Sequence, residues 1–172
     1  MPGDAPAYRA LMLEAYARHP DAFTSSVAER TALPLAWWEA RLADGPDTAE
    51  RVLGAFVAVE PAEGVAAALA GVAGLAFETR EKVRHKATLF GMFVPERFRH
   101  AGIGRTLVDA VLAEARVRPG VRRVLLTVTE GNRAAQALYE RGGFVAFGVE
   151  PRAVAVGNGF AAKVHMGCDL VP

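Results

Sequence analysis

Two hydrophobic periods alternate along the chain. One has steps of three and four residues; the other is two-residue alternation or an unbroken apolar run. Tyr8, Leu11, Met12, Ala15 and Tyr16 share one face of a helix over residues 6–18, with Asp4 as its N-cap and His19-Pro20 as its stop. Leu35, Trp38 and Leu42 share a face of a second helix over 34–42. Pro34 fits its first turn and Asp44-Gly45-Pro46 ends it. Residues 51–59, 65–78 and 87–94 read as strands. Turn residues over 60–64 join the first two, and a charged connection over 79–86 joins the next pair. The stretch 65–78 is rich in Ala and Gly, so context argues for a strand there more than propensity does. Leu107, Val108, Val111, Leu112 and Ala115 mark one face of a helix over 104–117, which ends before Pro119-Gly120. A β-rich strand follows over 124–128. Asn132 caps a helix over 132–141, and Gly142 or Gly143 stops it. Residues 144–149 and 161–170 make two last strands around a Gly157-Asn158-Gly159 turn.

Strands and helices mixed in this order, with no repeat and no linker, predict one α/β (α+β) domain over residues 1–172. A chain of 172 residues is long enough to bury a sizeable core, and 52% hydrophobic with 23% charged residues is a globular composition. Twenty basic side chains stand against 19 acidic ones, and a net charge of +1 gives no support for a nucleic-acid partner. The single cysteine, Cys168, excludes an internal disulfide and a cysteine-rich zinc site; it reads as a buried small hydrophobe, and no metal is expected. No secretory leader is legible at Met1-Pro-Gly-Asp4, and the apolar run 65–77 is too short to span a bilayer. The expectation is a cytoplasmic protein that uses no membrane.

The chemistry concentrates in residues 92–107. An apolar strand over 87–94 passes through a short polar segment into Arg99-His-Ala-Gly102-Ile-Gly104, and a helix begins there. The first turn of a helix has backbone N–H groups without internal partners, and its dipole places partial positive charge at that end. Glycines let the backbone approach a bulky anion. Arg99 and Arg105 add formal charge, so the stretch reads as a cradle for a phosphate or pyrophosphate. A dinucleotide fingerprint needs a third glycine where Leu107 stands. A Walker A loop needs Lys where Arg105 stands and a glycine five residues before Gly104. Both readings fail, and Arg-x-x-Gly-x-Gly between strand and helix remains.

That loop, followed by Asn132, Ala135, Tyr139, Gly143 and Phe144 in an Asn-x-x-Ala-x-x-x-Tyr-x-x-x-Gly-Phe block, resembles the GNAT family of N-acetyltransferases. The resemblance runs from about residue 6 to residue 166. It implies a single mixed, mostly antiparallel sheet with a splayed central strand pair and helices on both faces. The family usually opens with an edge strand before its first helix, whereas this sequence opens almost at the helix. Either the strand is absent or the true N-terminus lies outside the sequence, and the expectation is a shorter sheet with an open edge and with it a possible homodimer. The implied co-substrate is acetyl-CoA. Its pantetheine arm would lie between residues 91–94 and 125–129, and its pyrophosphate on the N–H groups from Arg99 to Arg105. The cofactor-binding set is then Phe93, Val94, Arg99, His100, Ala101, Gly102, Ile103, Gly104, Arg105 and Asn132, with His100 leaning to solvent.

By the same resemblance Tyr139 is the general acid, because a phenol of pKa near 10 can hydrogen-bond or protonate a leaving thiolate. The base is open. Many members carry a Glu on the central strand or the one before it; here Glu78 is the first choice, Glu130 the second and His85 the third. Ala162 and Lys163 stand where relatives often carry two acids, so a contact that would hold an amine is lost. Trp37 and Trp38 lie on the substrate-side helices and read first as core. The implied activity is direct acetyl transfer to a primary amine of a small molecule or peptide. A protein N-terminus or lysine as acceptor, a non-catalytic acyl-CoA sensor and a nucleotide ligand stay open beside it.

Overall fold

In the computed structural model, residues 1–43, 45, 48–59 and 66–170 are described. The alternation along 66–77 sends Ala73, Leu75 and Phe77 to one face and Val72 and Gly74 to the other, as a strand buried on both sides requires. That strand, β2 (Ala66–Phe77), lies between β1 (Glu50–Val59) and β3 (Lys86–Phe93). The sheet continues with β4 (Arg123–Thr129), β5 (Val145–Val156) and β6 (Gly159–Asp169), in the order β1-β2-β3-β4-β6-β5. Every neighbouring pair is antiparallel except β3 and β4. Parallel neighbours need a crossover, and α4 (Ile103–Val117) supplies it.

The parallel pair is short. Lys86, Ala87 and Thr88 pair with Arg123, Val124 and Leu125, and there the two strands part. Beyond that point β3 stays with β2 as far as Phe93, and β4 stays with β6 as far as Thr129. Between Val72 and Gly74 the register shifts, so that Gly91 and Met92 stand opposite one residue. This is a β-bulge, and Gly91 takes a φ of +59° there, a conformation that suits glycine. The bulge lies beyond Thr88, the last β3 position paired with β4.

Helices cover both faces. The stripe Ile103, Leu107, Val108, Val111, Leu112 and Ala115 of α4 packs on Ala73, Leu75, Phe77 and Leu89 of the sheet. On the other face α1 (Ala5–Arg18) and α3 (Leu35–Arg41) bury Tyr8, Leu11, Met12, Tyr16 and Trp38 against Val72 and Phe93. α5 (Arg133–Arg141) follows β4, with the Asn132 side chain accepting from the Ala135 N–H at 3.1 Å as its cap. The small residues of β2 have a packing reason. A Cβ on Gly71 would stand 3.0 Å from Leu107 Cδ1 and 3.0 Å from Val94 Cγ2, and a Cβ on Gly74 would fall inside the Phe90 ring.

Some expectations shift. A helix absent from the sequence reading, α2 (Val27–Thr31), is opened by a capping box: Ser26 Oγ accepts from the Glu29 N–H at 3.2 Å, and Glu29 accepts from the Ser26 N–H at 2.7 Å. Asp4 is the N-cap residue of α1 as expected, but its side chain makes no cap hydrogen bond; its carboxylate accepts from the Met1 ammonium at 2.8 Å. Pro34 is the residue before the first turn of α3, not inside it. β5 runs seven residues further than the apolar pattern, to Val156, because its pairing with β6 resumes after an irregularity between Glu150 and Val154. The turn over 60–64 lies outside the described residues, as do Asp44 and Pro46 of the expected helix stop. Among the described residues no strand precedes α1, so β1 and β5 are the edges.

Gly74→Ala should lower stability by about 1–3 kcal/mol through the forced movement of Phe90. Urea unfolding would show this as a lower midpoint with an unchanged slope, while Gly148→Ala, where nothing lies within 4 Å of a new Cβ, should not lower the midpoint.

Candidate active site

After β3 the chain turns through Val94-Pro95 and one 3-10 turn, Glu96–Phe98, before an extended Arg99. His100 then adopts a φ of 65° and Gly102 one of 78°. Gly102 is the N-cap of α4 and has no side chain to cap with, so the first-turn amides keep no side-chain acceptor. They open onto a cavity of about 650 Å³ between the end of β3 and the helix that follows β4. Met92, Phe93 and Val94 form one wall, Asn132, Ala135, Leu138 and Tyr139 another, and Arg99, His100 and residues 102–105 the base. The remaining wall is the loop after α1, with His19, Asp21, Ala22 and Phe23.

Ten residues of the expected site therefore meet in one cavity: Phe93, Val94, Arg99, His100, Gly102, Ile103, Gly104, Arg105, Asn132 and Tyr139. Ala101 is exposed and does not line it. Arg99 is held by the loop it belongs to, its Nε donating to the Val94 carbonyl at 3.2 Å and a terminal nitrogen standing 3.3 Å from His19 Nε2. Arg105 is half committed elsewhere. It donates to Asp109 at 2.8 Å and to the Arg141 carbonyl at 2.6 Å, which ties α4 to α5 and leaves its charge at the rim. The donor set fits a pyrophosphate: uncapped helix amides and two guanidiniums, with Glu96 3.9 Å from Arg99 and Asp109 2.8 Å from Arg105. The backbone fits as well, since a Cβ on Gly104 would stand 3.2 Å from Leu138 Cδ2, inside the space between cradle and α5.

Tyr139 is buried on α5, and its hydroxyl donates to Met92 Sδ at 3.5 Å across the cavity. Burial pushes its pKa up to about 12, so the phenol stays protonated over the whole physiological range.

The three expected bases are not gathered here. β2 and β3 are antiparallel, so the end of β2 lies at the start of β3. The Glu78 N–H donates to the Lys86 carbonyl at 3.2 Å, and its carboxylate pairs with Arg80 at 3.3 Å. From Lys86 to Phe93 the strand advances about 23 Å at roughly 3.3 Å per residue, so Glu78 stands at the far end of the sheet from the cavity. His85 lies at that same end, where its carbonyl accepts from the Arg122 and Arg123 N–H groups. Glu130 is at the correct end but exposed, and does not line the cavity.

What faces the cavity instead is the loop bearing His19 and Asp21. Its holding group is Lys163, 4% exposed on β6. The ammonium donates to the Asp21 carbonyl at 2.8 Å, the Ala22 carbonyl at 3.0 Å and Thr129 Oγ1 at 3.0 Å, and Thr129 Oγ1 donates to the Asp21 carbonyl at 3.0 Å. Burial pushes the Lys163 pKa down, against the opposing pull of Asp21. The lysine seen in the sequence as a lost acid is a staple that closes one wall of the cavity. No local signal marks this, because the partners lie 142 residues apart. Trp38 is core, as expected, while Trp37 carries the guanidiniums of Arg30 and Arg41 at 4.8 and 4.7 Å from its ring.

A sheet split at one short parallel pair, with an anion cradle at the split and a buried tyrosine across from it, is the architecture the resemblance implied. Residues 11–144 match the model of the Acetyltransferase (GNAT) family, and the chain belongs to that family. A GNAT-family acetyltransferase from Streptococcus pneumoniae has the same fold, with a TM-score of 0.83 and 26% identity over 98% of this chain and 95% of that one. The yncA protein of Salmonella typhimurium, solved with its cofactor acetyl-CoA, superposes with a TM-score of 0.73 over 100% of this chain and 91% of that one; at 19% identity it speaks for the fold. The [Ribosomal protein bS18]-alanine N-acetyltransferase of Salmonella typhimurium is 41% identical over 69 residues, 40% of this chain and 46% of that enzyme. The chain spans less than half the length of the curated relatives it matches. Among the described residues no helix is long and apolar enough to cross a membrane.

A folded-state pKa of about 12 for Tyr139, against about 10 unfolded, adds stability that is fully present below pH 10 and lost as pH rises towards 12. Two pKa units correspond to roughly 3 kcal/mol. Urea unfolding between pH 8 and 12 should show this alkaline loss, and Tyr139→Phe should reduce it, the remainder coming from Tyr8 and Tyr16, whose pKa burial also raises.

Proposed function

We propose that the chain is an acetyl-CoA-dependent N-acetyltransferase that moves acetyl directly to a primary amine of a small molecule or peptide. The observation that carries this is the single cavity of about 650 Å³ joining the cradle at Gly102–Gly104 to the Tyr139 hydroxyl. In this reading the amides of the α4 first turn, with Arg99 and Arg105, hold the pyrophosphate, and the walls at Met92–Val94 hold the arm that carries the thioester. The amine nitrogen bonds to the acetyl carbon and the carbon–sulfur bond breaks. The attacking nitrogen sheds its protons to water, with His19 and Asp21 the titratable side chains on that wall able to pass them on. The thiolate gains a proton or hydrogen bond from Tyr139, and the high pKa of that phenol keeps the proton in place until negative charge develops on the sulfur. Positioning by the cavity walls supplies the remaining acceleration.

A protein N-terminus as acceptor is the second reading, supported by the identity with the bS18-alanine N-acetyltransferase. The proposal takes residues 1–172 as one cytoplasmic domain that works without nucleic acid or membrane. It also includes a homodimer. The expected open edge is β1, but β5 is the more apolar one, with Val145, Phe147 and Val149 between 54% and 70% exposed.

Thiol release from acetyl-CoA against a panel of amines and short peptides tests the activity. Tyr139→Phe should lower kcat by about 10²- to 10⁴-fold with acetyl-CoA binding retained, and Gly104→Val should abolish that binding in calorimetry. Binding without turnover across the whole panel would favour the acyl-CoA sensor. Sedimentation velocity should give twice the chain mass, and Phe147→Glu should give the monomer.

A further inference from the structure

A second cavity, of about 110 Å³, lies on the α1–α3 face of the sheet. Its floor includes Gly91, the bulge residue directly before Met92, and Phe23 lines both this cavity and the larger one. The two spaces share a wall at Phe23.

The small cavity is cationic. Arg30 and Arg41 line it, with the hydroxyls of Tyr8 and Tyr16, and no carboxylate is among its lining residues. Arg41 has a counter-ion, Glu50, at 3.1 Å. Arg30 has none within ion-pair distance among the described residues. Its guanidinium lies over the Trp37 ring at 4.8 Å and the Tyr16 ring at 5.8 Å, and its Nε is buried without a hydrogen-bond partner. The neighbouring carboxylate, Glu29, is turned back onto Ser26 to cap α2. A guanidinium stacked on aromatic rings, with one N–H removed from water and no carboxylate at ion-pair distance, is a ready partner for an anionic ligand.

We propose that this cavity anchors the acceptor, and that the acceptor is an amine carrying a carboxylate or similarly small oxyanion, held by Arg30. The inference rests on the acetyl-transfer reading above and names the acceptor class within it. An ammonium group is repelled from a pocket with two guanidiniums, so the amine points away from it, past Phe23 and towards the thioester. A planar fork matches a carboxylate with two parallel hydrogen bonds, which a lysine in that place would not reproduce. Polyamines and simple alkylamines lack the anion and are disfavoured.

The test pairs acceptors that differ only in the anion: amino acids against their carboxamides, aminophosphonates against their dimethyl esters, and Ala-Glu against Ala-Gln peptides. Thiol release from acetyl-CoA by the wild type should show a KM lower by about 10- to 100-fold for the anionic member. The pair with the largest ratio identifies the source of the anion. In Arg30→Gln that ratio should collapse, and Arg30→Lys should restore part of it. Titration of the same pairs into the CoA-saturated protein, read by tryptophan fluorescence with Trp37→Phe as control, tests the pocket without turnover. Equal affinity and KM within every pair on the wild type would overturn the inference while leaving acetyl transfer intact. Failure to bind acetyl-CoA at all would instead overturn the reading beneath it.

Discussion

The site depends on one interruption of backbone pairing. β3 and β4 share three paired positions and then diverge, although each stays paired with its outer neighbour. Buried backbone N–H and C=O groups are almost always paired, so two facing strand edges left open must border solvent or a ligand. Three features keep them from closing. The bulge at Gly91-Met92 interrupts the regular course of β3, the Met92 side chain meets the Tyr139 hydroxyl, and the loop after α1 is tied to Thr129 at the end of β4. The cavity is the volume that remains.

The loop is held at both ends of the gap. On the β4 side Lys163 and Thr129 grip the carbonyls of Asp21 and Ala22; on the β3 side His19 lies against Phe93, with ring centroids 5.8 Å apart, and beside Arg99. A buried ammonium is expensive, and three oxygen acceptors offset that cost better than one would. On the α1–α3 face Arg41 is matched by Glu50 at 3.1 Å, while Lys163 is satisfied by oxygen acceptors without a carboxylate.

On the opposite face, the approach of α4 to α5 sets the depth of the cradle. Gly104 stands against Leu138, and Arg105 spans from Asp109 to the Arg141 carbonyl. These contacts place Tyr139 where its hydroxyl reaches the cavity while its ring packs on Phe144 at 5.9 Å. One side chain thus serves the core through its ring and the site through its oxygen, and the burial that secures the ring also raises the pKa of the phenol.

Elements governed by contacts three or four residues apart were legible in the chain: the stripe of α4, the Asn132 cap, the glycine cradle and the Gly157-Asn158 hairpin turn. The capping box of α2 belongs with them, since Ser26 and Glu29 carry its spacing. The base shows the limit. Glu78 qualifies by residue type and by its place at a strand end, but the antiparallel sense of β2 and β3 decides which ends meet, and it put Glu78 at the far one. His19, Lys163 and Arg30 carry no local signature of their roles, because each role depends on partners supplied by other elements of the sheet and its covering helices. Sequence alone determined the periods, the turns and the uncapped helix start, which are properties of neighbouring residues. Only the tertiary structure decided which charges face the cavity, because strand order and direction bring together residues that no short-range rule connects.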